Sequence, residues 1–271
     1  MTERAPADNW STGALYEPYI GRWSRLVAAQ FIDWLGVPAG RTWLDVGCGT
    51  GALTHAVLDR RQPAQVTGLD PSAGFIQYAH AHTADPRARF EVGEAQELPF
   101  DDASFDAVVS ALTLNFVPDR SRALAEMRRV TRPGGIVAAY VWDYPGGGMQ
   151  LMHYFWTAAT ELDPAARDAH EANRFPFCVP DQLEASFTGA GLSAVQSRPV
   201  VVATIFRDFA DYWTPFTSAQ GPAPAYAMSL PAARRDQLRE LLRHRLPVAG
   251  DGSIPLTARA WAVAGTRAGA T

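Results

Sequence analysis

Trp43-Leu44-Asp45-Val46-Gly47-Cys48-Gly49-Thr50-Gly51, read together with Asp70 further along, decides how this chain folds. An apolar run carrying one carboxylate is followed by glycines at alternate positions. The order reads as a buried strand, a glycine turn and a helix start, then a second strand that closes on a carboxylate. Such an order builds a nucleotide-shaped pocket at the end of a parallel sheet. Glycine lets backbone come close to a ligand because no Cβ intervenes. Asp70 is placed to hold the two hydroxyls of a ribose.

Outward from this stretch, strand and helix patterns alternate. Residues 14–35 place Leu15, Tyr19, Trp23, Leu26, Val27, Phe31 and Leu35 near helical spacing, with Pro18 and Gly21 breaking the early part. Strands are expected over Thr42–Val46, Gln65–Leu69, Ala88–Val92, Phe105–Ser110 and Ile136–Trp142. Helices are expected over Ala52–Arg60, Ser72–Ala81 with Ser72 as cap, and Asp119–Val130. Pro133-Gly134-Gly135 should end the last of these. After Trp142 the rhythm breaks. A helical stretch around Met149–Leu162, a helix over Asp181–Ala190 and a strand over Val195–Phe206 are expected. Residues 208–248 read as helical and aromatic, and Leu256–Ala264 as a final strand. The alternation implies right-handed crossovers and a parallel sheet, so the expected class is α/β.

The totals exclude several functions. The chain has 271 residues, of which 47% are apolar, enough for one large α/β domain or one domain with a sizeable insertion. A net charge of −4 argues against a nucleic-acid or anionic-membrane partner. All 24 basic residues are arginine, which excludes a Schiff-base lysine and a P-loop lysine. The two cysteines, Cys48 and Cys178, form no C-x-x-C pair and no disulfide framework, as expected in a reducing cytoplasm. No apolar signal core opens the chain and no run is long enough to span a membrane, so a cytoplasmic location is expected.

The turn Gly47–Ala52 also satisfies the dinucleotide fingerprint, with Asp70 at the expected distance. Three features tilt the reading elsewhere. Asp45, two residues before the first glycine, opposes a pyrophosphate but suits a ligand bearing an ammonium and a sulfonium. A second carboxylate, Glu94, follows strand three, with Ala95 after it; an acceptor there can take an adenine amino group. Ser104–Ser110 and Arg129–Gly135 follow in order. Taken together, Leu44–Gly51, Gly68–Ser72, Gly93–Phe100 and Arg129–Gly135 resemble the motifs of class I S-adenosylmethionine-dependent methyltransferases. The resemblance is to the group that includes the ubiquinone and menaquinone methyltransferases, and its motifs fall within residues 15–142.

The resemblance implies a Rossmann-like, mostly parallel seven-stranded sheet with helices on both faces, a last strand running antiparallel, and a helical lid. It implies S-adenosyl-L-methionine as cofactor, S-adenosyl-L-homocysteine as product and a small-molecule methyl acceptor as partner. It puts backbone at Gly47, Gly49 and Thr50 beside the methionine part, Asp45 near the ammonium, and Asp70 on the ribose with Pro71 and Ser72 beside it. Glu94 and Ala95 would reach the adenine, although the position after Gly93 is usually aspartate in the family. Ser110 and Leu112 would line the floor near the sulfonium. In similar enzymes the segment before the first strand folds over the cofactor, so Tyr16 and Arg22 are candidates, the arginine for a carboxylate; the competing reading is a surface helix with aromatic packing.

Candidates for the acceptor side come from position. Asn115 with Phe116, and Trp142 with Asp143, follow strands four and five at the carboxyl end of the sheet, where ligands bind. Asp143 is a candidate base, or else a loop carboxylate capping the next helix. His153 and His170 lie beyond strand five, and either could deprotonate a hydroxyl. Phe177 and Trp213 belong to an aromatic stretch over 154–226 that packs a lid, lines a greasy pocket, or both. No histidine–carboxylate spacing suggests a metal site. Arg234, Arg235, Arg239, Arg243 and Arg245 read as a solvated helix face.

The expected organisation is an N-terminal helical cap segment (1–40), a cofactor-binding core (41–142), a helical insertion (143–180), a core helix and strand six (181–207), a helical lid segment (208–250) and a final core strand (251–271). The expected reaction moves a methyl group to an O, N or C nucleophile of a small apolar or aromatic molecule. A nicotinamide oxidoreductase and a non-catalytic adenosyl-binding protein are the competing readings. The sequence leaves the oligomeric state open.

Overall fold

A computed structural model of the chain describes residues 20–217 and 221–269. Its first half alternates as the pattern requires. Helix α1 (Arg22–Leu35) leads into β1 (Thr42–Val46), α2 (Ala52–Arg61), β2 (Gln65–Asp70), α3 (Ala73–Ala81) and β3 (Ala88–Val92). Then come β4 (Phe105–Ala111), α4 (Arg120–Val130) and β5 (Thr131–Trp142). The second half holds α5 (Gln150–Leu162), short α6 (Glu171–Arg174), α7 (Pro180–Gly189) and β6 (Leu192–Phe206). It continues with α8 (Phe209–Trp213), α9 (Pro222–Ser229), α10 (Ala232–Arg245) and β7 (Ile254–Arg267).

The seven strands form one sheet in the order β3-β2-β1-β4-β5-β7-β6. The first five are parallel, and β7 is antiparallel to both neighbours. The order reverses between β1 and β4, which leaves a crevice at their carboxyl ends. Central strands are covered on both faces, so β1 and β5 carry long buried runs such as Trp43–Val46 and Val137–Trp142.

Local chemistry sets the helix ends. Ser72 accepts from the Phe75 amide and starts α3, and Asp119 accepts from the Arg122 amide and starts α4. Arg267 of β7 donates to the Arg128, Arg129 and Thr131 carbonyls at the end of α4, as cations at helix C-termini do.

Strands β5, β6 and β7 differ from the sequence expectation. Pro133-Gly134-Gly135 does not separate helix from strand: β5 begins at Thr131, pairs there with Phe105, and shifts register before Ala107. The turn residues are taken up in a bulge. Strands β6 and β7 are longer than their apolar runs, 15 and 14 residues, because they pair with each other from Leu192–Arg267 to Phe206–Ile254. Antiparallel pairing supplies the hydrogen bonds that extend them past the rest of the sheet.

Candidate functional site

A cavity of about 280 Å³ lies at the crevice, with walls from α1, the β1–α2 turn, the β2–α3 link and the ends of β4 and β5. Of the residues expected at a cofactor, Gly47, Gly49, Thr50, Asp70, Pro71, Ser72 and Leu112 line it. So does Trp142, expected on the acceptor side.

The glycine turn is pinned from below. The Gly47 and Cys48 amides both donate to the Leu69 carbonyl, at 2.7 and 3.0 Å, and the Gly49 amide donates to Asp70 at 3.0 Å. Gly47 has φ of +74°, and a Cβ there would come within 2.2 Å of Thr113, whose hydroxyl donates to the Gly47 carbonyl. Gly49 has φ of +53° and faces the opposite situation: a Cβ would meet no protein atom within 4 Å. Its missing side chain leaves open space beside the cavity.

Two carboxylates flank the turn. Asp45 is completely buried; one oxygen accepts from the Thr54 hydroxyl at 2.7 Å and the other has no partner. Burial pushes its pKa up to about 7, despite the Thr54 bond, and the nearby Asp70 charge adds to the rise. Asp70 accepts from the Ser72 and Gly49 amides, one to each oxygen. Burial raises its pKa, and the amide bonds oppose the rise. Each oxygen keeps lone-pair capacity for a hydroxyl. Cys48 also lines the cavity, and burial pushes its thiol well above the ordinary range, which favours the neutral form.

Other expected residues are placed differently. Ser110 is fully buried and donates to the Val46 carbonyl, inside the sheet; Ala111, Leu112 and Thr113 form that wall instead. Leu112 takes φ of +56° to do so, a strained conformation for a branched residue and one that tends to mark a site. Glu94 is exposed and Ala95 buried, and neither lines the cavity, although the Glu94 charge reaches Asp70. Arg22 pairs with Asp211 at 3.0 Å and lies over the Trp23 and Phe206 rings. It is Ile20 and Ser24, one helical turn apart, that face the cavity. Tyr16 lies outside the described residues.

The candidate bases do not reach the cavity. Asp143 is 1% exposed; Arg259 holds one oxygen at 2.7 Å and the Gly146 amide the other at 2.9 Å. Its role is to clip the loop after β5 to β7. His153 is exposed on α5. His170 accepts from the Ala172 amide, stacks on Trp156, and is lowered to about 4 by burial, with the His153 charge adding to it. Asn115 is buried with its amide nitrogen unpartnered and does not line the cavity. Phe177 lies under Arg120, and Trp213 stacks on Phe209 within the helical segment. Among the described residues, none of 208–250 lines the cavity, and Tyr144 is the contribution of 143–180.

Sequence reasoning did not single out Ile20, Ser24, Phe75, Thr113 and Tyr144. Phe75, in the first turn of a helix capped after Asp70, carried a usable signal. Ser24 and Thr113 carried none, because a lone hydroxyl in a helix or loop is unremarkable. Among the described residues there is no group of side chains that could hold a metal ion, and no helix is long and apolar enough to cross a membrane.

Residues 44–139 match a family model described as a methyltransferase domain. Demethylmenaquinone methyltransferases of Staphylococcus aureus are 41% identical over 113 residues, which is 41% of this chain and 47% of theirs. The chain thus spans about half the length of the curated relatives it matches. Among solved structures, the YcgJ protein of Bacillus subtilis superposes with a TM-score of 0.60 at 18% identity, over 90% of this chain and 99% of that one. Phosphoethanolamine N-methyltransferase 2 of Haemonchus contortus, solved with S-adenosylhomocysteine, gives 0.55 at 16% identity, over 88% and 52%. The [4+2]-cyclase SpnF gives 0.55 at 21% identity, over 92% and 81%. The fold is therefore that of the class I methyltransferases. Within it, residues 44–139 of this chain are similar to the methyltransferase-domain family.

Proposed function

We propose that the protein is an S-adenosylmethionine-dependent methyltransferase acting on an O, N or C nucleophile of a small apolar or aromatic molecule. The observation that carries this reading is the pair of buried carboxylates on either side of a glycine turn whose amides are already engaged. A pyrophosphate needs free amides and no adjacent negative charge. The amides of Gly47, Cys48 and Gly49 are taken by Leu69 and Asp70, and Asp45 keeps an unpartnered oxygen. That arrangement fits a cationic adenosyl ligand and disfavours a dinucleotide.

When bound, S-adenosylmethionine supplies a methyl group already activated by its sulfonium. The residues of this chain then have positioning to do. Asp70 would hold the ribose hydroxyls, with Pro71 and Ser72 beside it, and Asp45 would balance the ammonium. Open space at Gly49 and the turned backbone at Leu112 would admit the ligand's chain. Phe116, Trp142 and Tyr144 supply an apolar wall for the acceptor and exclude water. Neither Asp143 nor the two histidines is within the cavity wall, so catalysis rests on orientation rather than on one of these bases. The name of the Staphylococcus aureus relatives is consistent with a greasy aromatic acceptor.

Equilibrium calorimetry tests the reading directly. Saturable binding of S-adenosylmethionine and S-adenosylhomocysteine is expected, with none of NAD. The converse result would overturn it. Binding without transfer to any member of a broad panel of phenols, amines and hydroquinones would favour a non-catalytic protein.

A further inference from the structure

The sheet has two outer edges, and they differ in chemistry. One is β3, with five residues that include Arg89 and Glu91. A short edge carrying charge resists pairing with another chain. The other edge is β6, with 15 residues. Its first half is protected in a comparable way, by a register shift between Ser193 and Gln196 and then by Arg198 and Pro199. From Val200 to Phe206 the strand has no charge, no proline and no bulge. Alternate side chains of this stretch are buried, as Phe206 is against Trp23 of α1. The others, Val201, Ala203 and Ile205, are exposed, Val201 by 51% and Ile205 by 55%. Ala203 and Ile205 lie beside Thr257 and Pro255 of β7, which are exposed too. An uncharged patch therefore adjoins a row of main-chain groups that, among the described residues, no strand pairs with.

This edge is complementary to itself. A strand that pairs antiparallel with its own copy has a two-fold axis through one residue, and such a contact closes at two chains. With the axis at Ala203, Val201 falls opposite Ile205 of the second copy, Val202 opposite Thr204, and Val200 opposite Phe206. At the ends of the same register Arg198 falls opposite Asp208. The backbone of Asp208 is still extended, with φ of −163° and ψ of −178°, so the pairing can run that far. Among the described residues Arg198 has no carboxylate partner; its guanidinium lies 5.9 Å from the Trp34 ring. Asp208 uses one oxygen for the Asp211 amide, and Arg207 turns to Asp211 instead. Opposite charges thus meet at both ends of an apolar centre. Pairing over 198–208 supplies about ten hydrogen bonds, the usual number for a stable interface. Joining β6 to β3 would bring unlike edges together and leave an open-ended chain of molecules.

We propose that the Val200–Phe206 edge of β6 docks a second copy of this chain, the two β6 strands pairing antiparallel about Ala203 so that the two sheets become one. The proposal is independent of the methyl-transfer reading.

Sedimentation equilibrium on the full chain tests it. Wild type at micromolar concentration should have twice the mass of the chain. Val201→Lys/Ile205→Lys sets lysine opposite lysine across the axis and should weaken the dimer at least about tenfold. Val201→Lys/Ile205→Glu changes the same two positions but sets lysine opposite glutamate, and should stay dimeric. Both side chains are exposed in the single chain, so each variant should keep a cooperative thermal transition. Arg198→Glu, at another exposed position, checks the register separately: it should weaken the dimer by facing Asp208 with a like charge, and added salt should restore part of the loss. A wild type of single-chain mass, which would leave this edge bare or to a different partner, overturns the proposal. So does a dimer indifferent to the paired lysines, a lysine–glutamate variant that dissociates as far as the lysine–lysine one, or a mass that grows without limit.

Discussion

At the scale of single residues, Asp70 lines the cavity, while Asp45 lies fully buried just before the glycine turn and outside the cavity lining. The raised pKa of Asp45 has a sign that follows from linkage. A carboxyl that is harder to ionise when folded binds its proton more tightly in the folded state. Its contribution to stability is therefore lost as pH rises from the ordinary carboxylate range through about 7, and is constant above that. A cationic ligand beside Asp45 favours the carboxylate, so binding should release a proton below that pKa. Affinity for S-adenosylhomocysteine should rise with pH up to about 7 and then level off. Calorimetry in two buffers of different ionisation enthalpy reads the proton directly, and Asp45→Asn should flatten the profile. A wild-type affinity independent of pH would remove Asp45 from the ligand's surroundings. Asp70→Ala should lose most of the affinity while the thermal transition remains cooperative. Gly49→Val should do the same by filling the open space at the turn, with added backbone strain from its positive φ; normal affinity there would mean that the turn does not border the ligand.

At the scale of elements, the loop after β5 shows how one carboxylate can organise a wall. Asp143 accepts from Gly146 and Arg259, and its own amide donates to the Arg259 carbonyl. A Cβ on Gly146 or Gly148 would lie within 2.6 Å of the carboxylate, so both glycines are there to let the loop close on it. Asp143→Ala leaves the Gly146 amide and the Arg259 guanidinium without their partner and should lower stability by about 2–3 kcal/mol. Asp143→Asn, which keeps an acceptor for Gly146, should cost less. Chemical denaturation distinguishes the two, and equal losses would deny the clip. The position of Asp143 after a strand was legible in the sequence. Its partner was not, because Arg259 lies 116 residues away on an antiparallel strand.

At the scale of the whole molecule, the aromatic second half packs mainly against itself. Phe155 stacks on Phe216 at 4.4 Å, and Tyr212 donates to the Leu151 carbonyl, away from the cavity. Phe155→Ala should therefore destabilise the protein by about 3–5 kcal/mol and leave S-adenosylhomocysteine affinity unchanged in the folded fraction. A large loss of affinity would show that this core props up the cavity. The first half of the fold was legible in outline, since β1, β2, β3 and β5 each end on, or are followed at once by, a glycine or an acid. The helical segments over 208–250 were visible as helices but not in their placement, because aromatic spacing marks a buried face without saying what it is buried against. By itself the sequence determined the α/β alternation, the glycine turn and its two carboxylates, all of which follow from local periodicity and spacing. The tertiary structure alone decided that the turn amides are already taken, that Asp143 is held by Arg259, and that Arg22 turns away while Ser24 faces in. Each of these depends on which distant strands and helices meet, and no local pattern encodes such meetings.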